Sequence, residues 1–503
     1  MSGPGADGAM DRLAPGRLAT LHRSVRRPAY DRDALAVGWA HIGVGAFHRC
    51  HQGEFADDML EARFGPWGIV GINLFPPRLA DLLRPQGGLY SRTLREGAAA
   101  ETRVIGALKR VIDVEDRQSA DDAAAAIAAA PLEVVTMTVT EKGYCLLPAT
   151  GALDRDNPAL RADLAGADPP RTLLGLLARA LDERRQASGA GVTLVSCDNV
   201  PSNGARLKGA LLAFAAERSA ELARWIESHV AFPSTMVDRI VPAVTEADID
   251  VTSSRLGVRD PAAVVGEPFR QWVVEDKFAG RRPPWNLAGA QFVSDAKPYE
   301  TIKMRVLNAA QSTLSHQGAL IGHEFSFEAA ADPVLSALTR RMLERETAST
   351  LPRVPGMEVT SYIHTSLTRI GNAAIRHRCH QIGTDGSQKI VQRLVDPLRE
   401  RLAAGRPADL LILSVASWMA YCLKGSRRFG ARWRASDPWA DTIIAIGDRT
   451  SEFALTARAI LSIAPIFGTD LARPDLVQVV ARRLEGLLDS DPRAYLARML
   501  AKR

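Results

Sequence analysis

A lysine near the start of an apolar helix, followed by carboxamides at turn spacing, is equipped for proton transfer. The stretch Pro298-Tyr-Glu300-Thr-Ile-Lys303-Met-Arg305-Val-Leu-Asn308-Ala-Ala-Gln311-Ser312 has that form. Reducing a ketone creates an alkoxide that needs a proton. A lysine whose pKa is lowered by burial can donate it, and can take it back in the oxidative direction. Two amide donors can hold the oxygen while charge develops. The candidates are Asn308 on this helix and Asn199 in the loop Ser196-Cys-Asp198-Asn199-Val-Pro201, which follows a strand. Glu300 sits three residues before the lysine, on a neighbouring face. Asn308, Gln311, Ser312 and Ser315 recur at i, i+3, i+4 and i+7. Such a stripe suits a wet cavity, and equally a surface helix with a solvated polar face.

A second constellation is Gly43-Val-Gly45-Ala46-Phe47-His48-Arg49, which ends one apolar run and opens a helix. The glycines permit a tight turn and close approach of backbone to a pyrophosphate, and the helix start offers unpaired N–H groups. His48 stands where the usual third glycine would be. A turn that only packs a helix onto a sheet would look the same. The acidic residue that normally meets the adenosine ribose should close the second strand. That stretch reads Asn73-Leu-Phe-Pro-Pro-Arg78, without a carboxylate, and Arg78 could instead meet a 2′-phosphate. NAD and NADP both stay open. His48 and His51 are equally suited to packing, capping or cofactor contact.

These groups need elements to position them. Val37-Gly-Trp-Ala-His-Ile-Gly43, Trp67–Leu74, Leu132–Val139 and Val192–Cys197 read as buried strands. Helical stretches lie at Phe47–Leu60, Ala120–Ala130 and Leu173–Ala187. Alternation of this kind predicts an α/β, Rossmann-like domain with a parallel sheet. Beyond Pro298 the pattern is almost all helical, with candidates at Glu300–Ile321, Pro333–Glu346, Ile390–Ala404, Ala408–Leu423, Glu452–Ile463 and Pro474–Leu488. The expected organisation is a tail over residues 1–35, a dinucleotide-binding domain over 36–295 and a mainly α-helical substrate and catalytic domain over 296–503. No internal repeat of fixed period is evident.

At 503 residues the chain exceeds one ordinary core, which supports this division. The net charge of +6 is scattered rather than gathered with stacking aromatics, so a nucleic-acid partner is not expected. A modest positive field also suits an anionic small substrate and an anionic dinucleotide. The five cysteines fit neither a disulfide framework nor a zinc site. His377 and His380 flank Cys379 without further ligands at metal spacing, so no metal is expected. The most apolar segment, Leu410–Leu423, is too short for a bilayer. The first ~35 residues lack the apolar core of a secretion signal. A cytoplasmic enzyme, monomeric or a weak homo-oligomer, is the expectation. Arg376 and Arg378 could clamp a substrate carboxylate or lie on a solvated helix face. Arg270 and Trp272 read as structural.

Several further motifs occur in order between about residue 38 and about residue 390. They are His41-Ile-Gly-Val-Gly-Ala-Phe-His-Arg-Cys-His-Gln52, Thr138-Val-Thr-Glu141-Lys-Gly-Tyr144, Cys197-Asp-Asn-Val-Pro-Ser-Asn-Gly204, Phe232-Pro-Ser-Thr-Met-Val-Asp238-Arg-Ile-Val-Pro242, Glu267-Pro-Phe-Arg-Gln-Trp272, Lys303-Met-Arg-Val-Leu-Asn308 and Asp385-Gly-Ser-Gln-Lys389. Together they resemble the long-chain, metal-independent mannitol dehydrogenase family of polyol and sugar-acid dehydrogenases. The stretches around Asp238, Glu267–Trp272 and Arg376–Lys389 are similar to its fructuronate reductase branch. The resemblance implies hydride transfer between NAD or NADP and a keto sugar acid, or alternatively a polyol such as mannitol, sorbitol or arabinitol.

It further implies Lys303 as general acid/base, with Asn199 and Asn308 on the reacting oxygen. Glu141 and Asp238 would line the nicotinamide and substrate site, Glu300 would sit beside the lysine, and Lys389 would contact distal hydroxyls or a carboxylate. Gly43, Gly45, Ala46 and Phe47 would carry the cofactor. A basic pocket near Arg376, Arg378 and Lys389 would favour the acid, and a neutral, hydroxyl-lined one the polyol. This chain departs from the family pattern at Gln311, where a histidine is common, at His316, where a tyrosine is common, and at His380, where the branch carries tryptophan. Gln311 can bond a hydroxyl but cannot carry a proton at neutral pH. A family protein that has lost catalysis is the third reading, and Lys303, Asn199 and Asn308 argue against it.

Overall fold

Six short apolar runs form one parallel sheet in the computed structural model, which describes residues 10–147 and 150–501. The strands are β1 (Val37–Ile42), β2 (Gly68–Asn73), β3 (Leu108–Asp113), β4 (Val134–Met137), β5 (Val192–Ser196) and β6 (Val230–Ala231). Their order is β3-β2-β1-β4-β5-β6, and every neighbouring pair is parallel. Strand direction of growth therefore reverses between β1 and β4, and such a switch point opens a crevice at the strand C-termini. Helices Arg117–Ala128, Leu173–Ala187 and Asn203–Arg218 join successive strands and bury their apolar sides. Burial on both faces explains why the strands read as continuous apolar runs.

The chain divides into two compact units, Met1–Lys297 and Pro298–Arg503. The first also holds a hairpin, Tyr90–Glu96 with Ala99–Ile105, that the sequence pattern hides. Its buried face carries Arg92 and Arg103 in place of apolar residues. These pair with Glu54 at 2.8 Å and with Asp57 and Glu61 at 3.2 Å. The acids recur on one face of the helix Gln52–Ala62. Charge compensation seats the hairpin together with its buried Tyr90, Leu94, Val104 and Ile105.

The expected tail is a correction. Residues 1–9 lie outside the described residues, but Leu13, Leu21 and Val25 are buried with Leu89, Val104, Leu256 and Val258. Bridges Arg12↔Arg259 and Arg26↔Arg103 fasten the segment's backbone. The glycine, proline and arginine content concealed three well-spaced apolar anchors.

The second unit is helical. Asp409–Leu423, apolar on every face, is buried from Leu410 to Leu423. Ala309–Ile321, Pro333–Met342, Ala440–Arg449 and Pro474–Leu488 pack around it. Three π turns interrupt long helices at Met304–Asn308, Leu343–Thr347 and Val391–Val395, and the first packs against the other two. Among the described residues, no helix is long and apolar enough to cross a membrane.

Candidate functional site

In the first unit, the C-terminal ends of β1, β2, β4 and β5 carry the polar residues of interest. Gly43 has φ +91°, and a Cβ there would lie 2.2 Å from the Thr138 carbonyl oxygen. Only glycine fits. Gly45 differs: it precedes the helix Ala46–Cys50, and a Cβ added to it would meet open space. That empty approach distinguishes a ligand-facing turn from one that only packs a helix on a sheet.

Asn73, at the position expected for a ribose-binding acid, is committed elsewhere. Its Oδ1 accepts the Val44 N–H at 2.8 Å, and its Nδ2 donates to Asp113 Oδ1 at 2.8 Å. Asp113 Oδ2 accepts the Ala80 N–H at 2.9 Å. The second-strand amide thus fixes the glycine turn. His48, in the third-glycine position, stacks flat on His41 with ring centroids 3.4 Å apart. Burial pushes His41 down to about 3, so the ring is neutral and can stack closely. Phe47 is half-buried and stacks on His51 at 5.0 Å.

A cavity of about 510 Å³ opens beside this turn, bounded by Gly43, Gly45, Asn73, Phe75, Thr140 and Arg171 among others. Its floor fits a dinucleotide: backbone without Cβ at Gly45, a helix start, and an apolar wall at Phe75–Pro77. Arg78 is exposed and paired with Glu115 at 2.6 Å, and it is not among the cavity's lining residues.

Past β4, Thr140 adopts φ +66° and ψ 169°, a conformation costly for a residue with a Cβ. Asp198 holds it there by accepting the Thr140 N–H at 2.8 Å. The other Asp198 oxygen accepts from Tyr144 Oη at 2.7 Å, and Tyr144 also bonds Ser196. Burial raises Asp198 to about 6. Asn203 Nδ2 donates to the Asp198 and Thr235 carbonyls, both at 3.0 Å, and stitches the two loops together. On this frame Asn199 stands exposed, one residue beyond Asp198. Asp238 is buried at the end of the strand Thr235–Asp238. Glu141 is exposed and 3.6 Å from Arg206. Asp198, Tyr144 and Asn203 were unassigned by sequence reasoning, although all three lie inside quoted motifs. A glycine-poor turn gives no sign of positive φ.

In the second unit, Lys303, Asn308 and Glu300 are all buried. In α geometry, residues five apart point about 140° apart. The π turn Met304–Asn308, in which the Ala309 N–H bonds the Met304 carbonyl, narrows that angle between Lys303 and Asn308. The polar stripe is not a solvated face: Ser312 and Ser315 are buried and Gln311 is half-buried. Asn308 Nδ2 meets Met304 Sδ at 3.2 Å.

Arg393 was not anticipated. It is buried on the third π turn and donates to Ser312 Oγ at 2.9 Å and to the Asn308 carbonyl at 3.4 Å. Lys389, one turn earlier, bonds the Ile382 carbonyl at 3.4 Å. Among the described residues no carboxylate lies within ion-pair distance of either. Burial lowers Lys389 to about 8 and Arg393 to about 10. His316 is buried, and burial, then Arg393 and Lys389, lower it to about 3.

The expected carboxylate clamp at Arg376 and Arg378 is not what the fold builds. Both are exposed, with Arg376 over the Phe325 ring at 4.4 Å and Arg378 paired to Glu324. A neighbouring aromatic and acid satisfy them at the surface. His380 Nδ1 bonds Tyr421 Oη at 2.7 Å. No cluster of three or more metal-ligating side chains occurs among the described residues.

Comparison with known proteins agrees with this geometry. Residues 38–287 match the mannitol dehydrogenase Rossmann domain, and residues 295–488 match the mannitol dehydrogenase C-terminal domain. The chain is 39% identical over 463 residues to the uncharacterised oxidoreductase YdfI of Escherichia coli (strain K12), covering 92% of this chain and 94% of that protein. It is 37% identical over 477 residues to D-mannonate oxidoreductase of the same organism, covering 94% and 98%. The mannitol 2-dehydrogenase of Pseudomonas fluorescens, solved as a ternary complex with NAD and D-mannitol, superposes with a TM-score of 0.88 at 35% identity, covering 98% of this chain and 100% of that one. Both domain matches and these full-length likenesses place the chain in the mannitol dehydrogenase family, as an oxidoreductase acting on CH–OH groups.

Proposed function

We propose that this protein moves hydride between a nicotinamide dinucleotide, NAD or NADP, and a keto sugar acid of the fructuronate/mannonate type. Bound, the dinucleotide supplies the hydride donor or acceptor. Gly43, Gly45 and the start of the helix Ala46–Cys50 hold its pyrophosphate. Lys303 gives a proton to the developing alkoxide or removes one from the alcohol. Asn308 and Asn199 donate to that oxygen. Asp238, Glu300 and Glu141 take the roles that the family resemblance implies, and Gln311 bonds a substrate hydroxyl.

One observation carries the choice of an acid. Arg393 is buried and bonds the Asn308–Ser312 segment, Lys389 is half-buried one turn earlier, and among the described residues neither has a carboxylate within ion-pair distance. Asp385 and Asp437 act on Lys389 only from beyond ion-pair distance, so an anionic substrate would add a direct counter-charge to the two cations. The likeness to D-mannonate oxidoreductase supports the same reading.

A polyol 2-dehydrogenase is the second reading. Asn308, Gln311 and Ser312 are neutral groups suited to hydroxyls, and the mannitol 2-dehydrogenase likeness is of similar strength. Nicotinamide absorbance with a panel of sugar acids and polyols, run with NAD and NADP, separates the two. A kcat/KM for the acids at least about 10-fold above that for the polyols is expected, and the reverse order would select the polyol. Lys303→Ala should lower kcat by roughly 10²- to 10⁴-fold, since that is the usual worth of a general acid/base.

A further inference from the structure

The dinucleotide cavity of the first unit carries an electrostatic signature that the usual NAD fingerprint does not. A Rossmann-type domain that selects NAD places an Asp or Glu at the end of the second strand, where it accepts from the ribose 2′-hydroxyl and repels a 2′-phosphate. Here that position is Asn73, and its amide is spent on the Val44 N–H and on Asp113. Asp113 is in turn held by Asn73 and the Ala80 N–H, and it does not line the cavity. No Asp or Glu is among the residues that line it. The charged groups on its wall are two cations, Lys142 and Arg171.

Among the described residues neither cation has a carboxylate within ion-pair distance. Asp163 is the acid associated with the Arg171 segment, but it grips backbone and hydroxyl. Its oxygens accept the Arg171 N–H at 2.8 Å, the Thr172 N–H at 2.8 Å and the Thr172 hydroxyl at 2.6 Å. The main chain at Arg171 is therefore fixed while its guanidinium remains available to the cavity. Arg78, the residue that sequence alone offered for this task, is engaged by Glu115.

We propose that Arg171 receives the 2′-phosphate of an adenosine ribose, so that this cavity takes NADP(H) at least as well as NAD(H). The inference rests on the dinucleotide-binding reading above and specifies its ligand further. A guanidinium presents two parallel N–H donors to a phosphate, a charge-assisted pairing that a neutral 2′-hydroxyl cannot match. The acid-free wall removes the repulsion that ordinarily excludes NADP. Lys142 adds a second positive charge to the same cavity without a fork geometry.

Equilibrium binding tests this without reference to turnover. Titrate the full-length protein and its Arg171→Ala, Arg171→Lys and Lys142→Ala variants with NADP+ and with NAD+, following tryptophan fluorescence or heat. The wild type should bind NADP+ no more weakly than NAD+. Arg171→Ala should weaken NADP+ by roughly 10- to 100-fold, the usual worth of charge-assisted hydrogen bonds, and NAD+ by less than about 3-fold. Arg171→Lys should recover part of the loss. NADP+ affinity should also fall more steeply with salt than NAD+ affinity. A wild type that prefers NAD+ by about 10-fold or more would overturn the assignment and leave the dinucleotide reading intact. So would equal losses for both dinucleotides, or a loss confined to Lys142→Ala. Binding of neither dinucleotide would remove both the assignment and the reading beneath it.

Discussion

Asp198 illustrates how a single carboxylate can be spent on geometry. It holds Thr140 in a backbone conformation that threonine otherwise avoids, and burial raises it to about 6. The consequence for stability has a definite sign. Its folded value lies above its unfolded value, so its contribution is fully present below about pH 4 and is lost as pH rises through about 6. The stability difference between wild type and Asp198→Asn should therefore move in the wild type's favour by about 2 kcal/mol between pH 7 and pH 4. Urea unfolding across that range checks it, because other titrating groups cancel in the difference. A flat difference would mean that the carboxylate titrates normally. Sequence gave the neighbouring Asn199 a role through its place after a strand, whereas Asp198 could be read only with Thr140 and Tyr144 in space. The same holds for Arg393, whose contacts lie more than eighty residues away in the chain.

At the scale of elements, the glycine turn divides its labour. Gly43 is demanded by the fold, whereas Gly45 faces open space where the proposed dinucleotide would lie, which makes opposite predictions for two similar substitutions. Gly43→Ala should cost about 1–3 kcal/mol of stability from the positive φ, with a steric penalty at Thr138 besides. Gly45→Ala should leave the denaturation midpoint nearly unchanged and weaken dinucleotide binding instead. Thermal melts and fluorescence titration of both variants test the pair. Most of the strands and helices were legible because parallel strands and core helices carry unbroken or periodic apolar residues. The predicted helix Phe47–Leu60 was right in place but breaks at His51, where φ is −120° and ψ −84°. The hairpin Tyr90–Ile105 escaped because paired charge at Arg92 and Arg103 interrupts the apolar residues of its buried face. The π turns escaped because one extra residue in a helix leaves no composition signal, although one of them narrows the angle between Lys303 and Asn308.

At the scale of the molecule, each unit closes its own core. The first is sealed partly by the N-terminal segment that carries Leu13, Leu21 and Val25. Leu13→Ala should cost about 2–4 kcal/mol, as a buried leucine does elsewhere. A urea midpoint equal to wild type would show that the segment is an ornament and not a strap. Composition had suggested a tail because three anchors among many glycines, prolines and arginines do not raise local hydropathy. The two-part α/β and helical organisation was legible because the repeating pattern itself changes near Pro298.

The helix Asp409–Leu423 has no face that tolerates water, and one of its covers, Pro474–Leu488, is specified some fifty residues later in the chain. A ribosome must therefore release a sticky rod well before its lid has been translated. That interval is when a chaperone would find its client, and a nonsense mutation inside it would leave the rod without that cover. Chains stopped after residue 470 should accumulate as insoluble protein, with chaperone co-expression raising the soluble fraction only transiently. Soluble, monodisperse product from such a truncation on gel filtration would show that the other neighbours suffice.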